Sequence, residues 1–131
     1  MPPKDFDTWN ALKKHIHQKR FLAFVHAREV WWCSLGLNVG AEQDGKHAAF
    51  ERPVLILRKF NRESVLIAPI TSQRKRPYHV CFTHDGIEYA VIISQVRLLS
   101  TRRLRRRIFR MPEDMFGEVL SALQQMIGRG A

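Results

Sequence analysis

Apolar positions recur along this chain with two different periods, and the change of period marks its organisation. Phe6, Trp9, Leu12 and Ile16 fall three or four residues apart, with Lys13, Lys14, His15 and Lys19 on other faces. That spacing predicts an amphipathic helix over residues 5–20, and Asp5 or Asp7 can cap its start. The apolar stretch Phe21–Val25 fits either a continuation of the helix or the start of a strand. From Arg28 the period becomes that of strands. Glu29–Leu35 is rich in β-branched and aromatic residues. Arg52–Phe60 and Ser64–Ile70 are apolar runs joined by a tight turn at Asn61-Arg62, which predicts a hairpin. Tyr78–His84 and Ile87–Ser94 flank Asp85-Gly86, a stronger hairpin signal. Val96–Leu99 extends that sheet, Ser100 or Thr101 caps a short helical turn through Leu104, and Arg107–Met111 reads as a last short strand. Pro112 suits the first turn of a helix, with Glu113 and Asp114 at its positive end. Met115, Phe116, Val119, Leu120, Leu123, Met126 and Ile127 form its apolar stripe, and Gly128 can stop it.

Five or so short strands with a helix at each end predict a mostly β, α+β fold: a small, strongly curved antiparallel sheet or barrel. At 131 residues the chain is long enough for one modest core. The division expected is a helical arm over residues 1–27 packed on a barrel domain over 28–131. Gly36–Gly45 is a loop holding three of the seven glycines.

Composition adds one strong constraint. Lys and Arg number 22 against 12 Asp and Glu, a net charge of +10, which favours a polyanionic partner. No apolar run reaches the roughly 20 residues of a membrane span. The first residues lack a signal peptide's apolar stretch, so a cytoplasmic location and no membrane partner are expected. Cys33 and Cys81 are too far apart for a metal-ligand spacing and read as buried reduced thiols. No metal or other cofactor is expected.

The chemistry concentrates in one interrupted phrase. Glu42-Gln43-Asp44-Gly45 precedes Arg52-Pro53-Val54-Leu55-Ile56-Leu57, and Ala68-Pro69-Ile70-Thr71-Ser72-Gln73 follows. A polar glycine turn leads to an arginine at the mouth of a buried strand, and a second buried strand ends in hydrogen-bonding side chains. A permanent cation and a hydroxyl at neighbouring strand ends suit a phosphate. A surface ion pair of Arg52 with Glu51 is the plainer alternative.

These phrases, with Glu29-Val30-Trp31-Trp32, Gly40-Ala41-Glu42-Gln43 and Ser94-Gln95-Val96-Arg97, resemble the MazF/PemK-like toxins of bacterial toxin–antitoxin systems. The resemblance runs from about Arg28 to Gly128. Trp31-Trp32-Cys33-Ser34-Leu35-Gly36 and Phe60-Asn61, behind an N-terminal helix, resemble a longer branch of that family. It implies the compact SH3-like barrel shared by the CcdB, PemK and MazF toxins, a homodimer, and a cognate antitoxin that blocks the RNA groove. It implies a sequence-specific endoribonuclease that cuts single-stranded RNA without a metal. Attack by the 2′-hydroxyl leaves a 2′,3′-cyclic phosphate and a 5′-hydroxyl.

The family's catalytic arginine and threonine correspond to Arg52 and Thr71. Ala41 and Ser94 stand where relatives carry a histidine and an acidic residue, so the general base is open among Glu42, His47 and His79, each alternatively an RNA contact or a solvated loop residue. RNA recognition is expected from the loops Gly36–Glu51 and Thr71–His79. Lys46, Ser72, Arg74, Lys75 and Arg76 would meet the backbone, Tyr78 would stack on an unpaired base, and Gln43, Gln73 and Gln95 would read base edges. The denser run Arg102, Arg103, Arg105, Arg106, Arg107 and Arg110 would widen the RNA footprint or grip an acidic antitoxin. Two other readings keep a similar barrel: a CcdB-like gyrase poison, which the absence of a terminal Trp-Gly-Ile segment argues against, and a non-catalytic nucleic-acid binder.

Overall fold

The computed structural model describes residues 3–19, 22–39, 42, 44–46, 50–72 and 76–129. Helix α1, Phe6–His17, begins where Asp5 accepts a hydrogen bond from the Thr8 N–H at 3.1 Å. Leu22–Val25 is neither helix nor strand, against both expectations for that stretch. Val25 is nonetheless fully buried, so its apolar character serves packing rather than regular structure.

Among the described residues seven strands follow, each overlapping one of the strand-like segments of the sequence although the total expected was only five or so: β1 Glu29–Ser34, β2 Glu51–Lys59, β3 Ser64–Thr71, β4 His79–His84, β5 Ile87–Ile92, β6 Arg97–Ser100 and β7 Leu104–Arg110. Helix α2, Glu113–Gly128, closes the chain and includes Gly128 rather than stopping before it. All pairings are antiparallel, in the order β4-β5-β3-β2-β1-β7. Strand β3 forks: its first half pairs with β6 and its end, at Ile70 and Thr71, with β5. The fork curls the sheet into a half-barrel. The Asp85-Gly86 turn has φ of +50° and +77°, as a tight hairpin turn requires.

Two apolar clusters hold the sheet from its two sides. One joins Val30, Leu55, Ala68, Ile70 and Val91 to Phe116, Val119 and Leu123 of α2. The other gathers Trp31, Cys33, Val54, Ile56, Val65 and Ile67 with Leu99 and Leu104. Neighbouring residues of β1 and β2 fall in different clusters because successive side chains point to opposite faces. Cys33 is buried as expected, whereas Cys81 lies exposed on β4; both are free thiols.

The arginine run is mostly strand. Ser100 caps a single helical turn, Thr101–Arg103, by accepting from the Arg102 N–H. Then β7 starts at Leu104, three residues earlier than the pattern placed it, because Leu104 is the buried anchor. Among the described residues β4 and β7 are edge strands that meet only through side chains. His84 stacks on Phe109 with ring centroids 3.7 Å apart and planes 8° from parallel.

Candidate active site

The loop between β1 and β2 is tied down before it reaches the site. Trp9 of α1 lies against Gly36, and its ring approaches Phe50 with centroids 5.7 Å apart. Gly36 has φ +80° and no room for a side chain on its Trp9 side. Lys4 reaches across to Asp44, with Nζ and Oδ2 2.8 Å apart, and also donates to the Asn38 carbonyl. The other Asp44 carboxylate oxygen accepts from the Asn38 N–H at 2.6 Å. Asp44 is thereby held by both the arm and the loop.

Arg52 takes its position from that anchor. Its Nε donates to the Asp44 carbonyl at 2.7 Å and its Nη1 to the Ile70 carbonyl at 3.2 Å. The residue is 6% exposed, and Glu51 beside it faces Arg105 at 3.3 Å. Burial lowers the Arg52 guanidinium from its usual value, and the nearby Asp44 charge opposes that shift. A guanidinium remains cationic at neutral pH. Its charge is therefore fixed in direction and poorly hydrated, the condition under which electrostatic attraction is strongest.

Strand register brings the partner hydroxyl alongside. Val54 of β2 stands opposite Pro69 of β3, and two further residues along each strand reach Arg52 and Thr71. Both line one cavity of about 160 Å³, with Lys46 and Ser72 at its polar side. Trp32, Pro53, Ile70 and Tyr89 form the apolar side, and Glu51 is the carboxylate among the lining residues. Of the residues expected at the site, the structure thus gathers Arg52, Thr71, Lys46 and Ser72.

The others divide. Glu42 and Gln95 line a separate, wider cavity of about 500 Å³ with Ser94 and Arg97, at the corner between β5 and β6. Glu42 Oε1 accepts from the Val39 N–H at 2.8 Å, a local turn contact. His79 and Tyr78 line a third cavity, between β4 and the end of α2. His79 is therefore outside the lining of the Arg52 cavity. Arg76 is exposed in the turn before β4. Gln43, His47, Gln73, Arg74 and Lys75 lie outside the described residues. No cluster of three His, Cys, Asp or Glu residues is placed to hold a metal ion among the described residues, and no helix among them is long and apolar enough to cross a membrane.

Sequence reasoning missed Trp32, Tyr89 and Asp44, and saw Glu51 only as a partner for Arg52. Trp32 carried a signal that went unused. In the alternation of β1, Trp32 shares its face with buried Val30 yet stays only partly buried, and a large aromatic side chain left partly open needs its own reason. Asp44 acts through its main-chain carbonyl, which no side-chain pattern discloses.

Residues 26–127 match the family described as PemK-like, MazF-like toxin of type II toxin-antitoxin system. Among solved structures the fold is similar to MazF (Form-I) from Deinococcus radiodurans, with TM-score 0.67 and 25% identity over 82% of this chain and 98% of that one. MazE-MazF (Form-II) from the same organism gives 0.61 at 22% identity, over 82% and 97%. An endoribonuclease in complex with its cognate antitoxin, from a mycobacterial species, gives 0.59 at 16% identity, over 82% and 99%. No curated protein matches the chain.

Proposed function

This chain belongs to the PemK-like, MazF-like toxins of type II toxin–antitoxin systems, and from that premise we propose that it is an endoribonuclease cutting single-stranded RNA at short specific sequences. The observation that carries the reading is the shared cavity of Arg52 and Thr71, a buried cation and a hydroxyl on adjacent strand ends. Cleavage by an RNA strand's own 2′-hydroxyl needs alignment, charge stabilisation at phosphorus and two proton transfers. Arg52 supplies the positive charge, set rigidly by the Asp44 and Ile70 carbonyls. Thr71 aligns the phosphate or the 2′-hydroxyl. Glu51 is the carboxylate this cavity offers as proton acceptor, in place of the positions occupied by Ala41 and Ser94. Lys46 and Ser72 contact the backbone. The products are a 2′,3′-cyclic phosphate and a 5′-hydroxyl, without a metal.

The partners in this proposal are RNA and a cognate antitoxin, the latter supported by the mycobacterial complex of similar fold. The homodimer implied by the sequence resemblance belongs to the same proposal. Residues 1–27 serve as an arm bracing the β1–β2 loop beneath Arg52, and 28–131 form the barrel domain.

The test is cleavage of a long single-stranded RNA with excess chelator, followed by mapping of both new ends. Thr71→Val keeps the strand-end volume and is expected to lower kcat by two orders of magnitude or more while leaving the melting temperature close to wild type. Arg52→Lys keeps the charge but loses the two-carbonyl anchor, and should lose most activity as well. Glu51→Gln should lower kcat by about two orders of magnitude while leaving RNA binding in place. Full activity in Thr71→Val would remove the hydroxyl from the mechanism. Salt-sensitive RNA binding with no scission by the wild type would favour a non-catalytic binder.

A further inference from the structure

Beside the Arg52 cavity lies a second of about 150 Å³, sharing Trp32, Pro53, Ile70 and Tyr89 with it, so that the two form one groove. Its far wall is the seam where β4 meets β7: Phe82, His84 and Phe109, with Ile108 at the edge. Phe82 and Tyr89 are stacked with centroids 5.6 Å apart, and Phe109 is sandwiched close to both Phe82 and His84. The lining is predominantly apolar, and Trp32, His84 and Tyr89 are the lining residues whose side chains carry a polar atom. An apolar cavity of about 150 Å³ takes one six-membered ring.

The rim is basic. Arg106 places its guanidinium 5.3 Å over the Trp32 ring, and no carboxylate pairs with it among the described residues. Arg105 and Arg107, also on β7, stand 3.3 Å from Glu51 and 3.2 Å from Glu29. Proteins that hold single strands place bases against aromatic walls and backbone against cations. An apolar peptide side chain would suit the walls, but it leaves the Arg106 guanidinium over Trp32, and Arg52 in the adjoining cavity, without an anionic counterpart. A phosphodiester strand matches both features, and the shared wall carries it from one cavity to the next.

We propose that this slot is a subsite for a single-ring base, a pyrimidine, on the strand whose phosphate sits at Arg52. The proposal rests on the RNA reading of the Arg52 cavity, but not on that cavity being catalytic. Trp32 is the wall common to phosphate and base, and Ile108 sets the depth of the slot.

The test uses the full chain and short 2′-O-methyl oligonucleotides, which lack the attacking hydroxyl and are not cleaved. Affinity is read by fluorescence anisotropy for oligouridine, oligocytidine, oligoadenosine and an abasic strand. The pyrimidine strands are expected to bind about tenfold or more tighter than the purine and abasic strands, the lower range of what one stacked base contributes. They should also quench tryptophan emission, chiefly from Trp32, since Trp9 and Trp31 are buried. Ile108→Trp, at a partly exposed edge position, fills the slot and should abolish the base preference while keeping salt-dependent binding to all four strands. Equal affinities in the wild type, or an unchanged preference in Ile108→Trp, would overturn the proposal. Displacement of oligouridine by tryptophanamide but not by uridine would assign the slot to a protein side chain instead. RNA cleavage without base preference sinks the slot alone; base preference without cleavage sinks the nuclease reading and leaves the slot standing.

Discussion

Gly36→Ala isolates the contact between the N-terminal helix and the loop that carries Asp44. A Cβ built on Gly36 would stand 2.1 Å from Cε2 and Cζ2 of Trp9 and 2.7 Å from Cη2, so the indole has to leave its seat. The backbone there has φ +80°, which costs a residue with a Cβ about 1–2 kcal/mol. Trp9 is 5% exposed. Removing such a ring altogether costs about 3–5 kcal/mol, and partial expulsion should lose roughly half of that. The sum is about 3–4 kcal/mol, a large share of the roughly 5–15 kcal/mol a domain has. Urea unfolding followed by circular dichroism measures it. The control is Trp9→Leu, which lacks the clashing indole carbons. In that background Gly36→Ala should cost only the backbone share, about 1–2 kcal/mol, leaving a coupling of about 2 kcal/mol between the two sites. If Gly36→Ala costs under about 1 kcal/mol alone, or the same in both backgrounds, then Trp9 does not press on the loop as described.

Three further outcomes are expected. Burial pushes the Cys33 thiol up to about 12, whereas Cys81 is exposed. Alkylation of the native protein at mildly alkaline pH, read by intact mass, should therefore add one label per chain, and two only after unfolding. For the same reason the unfolded chain releases the Cys33 proton above its usual 9.0 while the folded chain keeps it, so this thiol lowers stability as pH rises beyond 9. At Glu29, burial alone would raise the carboxyl. Hydrogen bonds from the His26 N–H, the Trp31 indole and Arg107, together with the His26 charge, outweigh it and leave the group below its usual 4.5. Its stabilisation is thus fully present above pH 4.5 and is lost as pH falls through the lowered value. Glu29→Gln should cost about 2 kcal/mol at neutral pH and flatten the acid limb of the stability profile in urea titrations. Gly86→Ala meets no neighbour, so only its φ of +77° opposes it. A loss of about 1–2 kcal/mol is expected, and one beyond about 3 kcal/mol would mean the hairpin turn does more than reverse the chain.

Local periodicity carried most of the fold. Both helices and the Asp85-Gly86 hairpin were legible because their signals are contained in a few adjacent residues. Strand β7 was legible only from Arg107 on, since six arginines in nine positions hide the alternation that begins at buried Leu104. The forking of β3 is a non-local property with no signature in its own eight residues. At the site, Arg52 and Thr71 followed from strand-end logic and Lys46 and Ser72 from the loops beside them, and the four share a cavity. His79 was placed by proximity to a polar loop, and the chain then turned it toward α2. The groove walls at Trp32 and Tyr89 required knowing that β1 and β5 face one another across the curl.

The unpaired border of the half-barrel at β7 sets how this protein tolerates its own company. An open strand offers a ladder of amide and carbonyl groups to any second copy. On β7, exposed Arg105, Arg106 and Arg107 occupy consecutive positions of that ladder, so an approaching twin meets its own positive charge before it can pair. That protection is Coulombic and weakens as the screening length shortens toward about 3 Å at molar salt. A bound polyanion would cancel it more thoroughly still. Concentrated stocks should therefore keep best in dilute buffer, and clouding on addition of nucleic acid would report a neutralised border rather than unfolding.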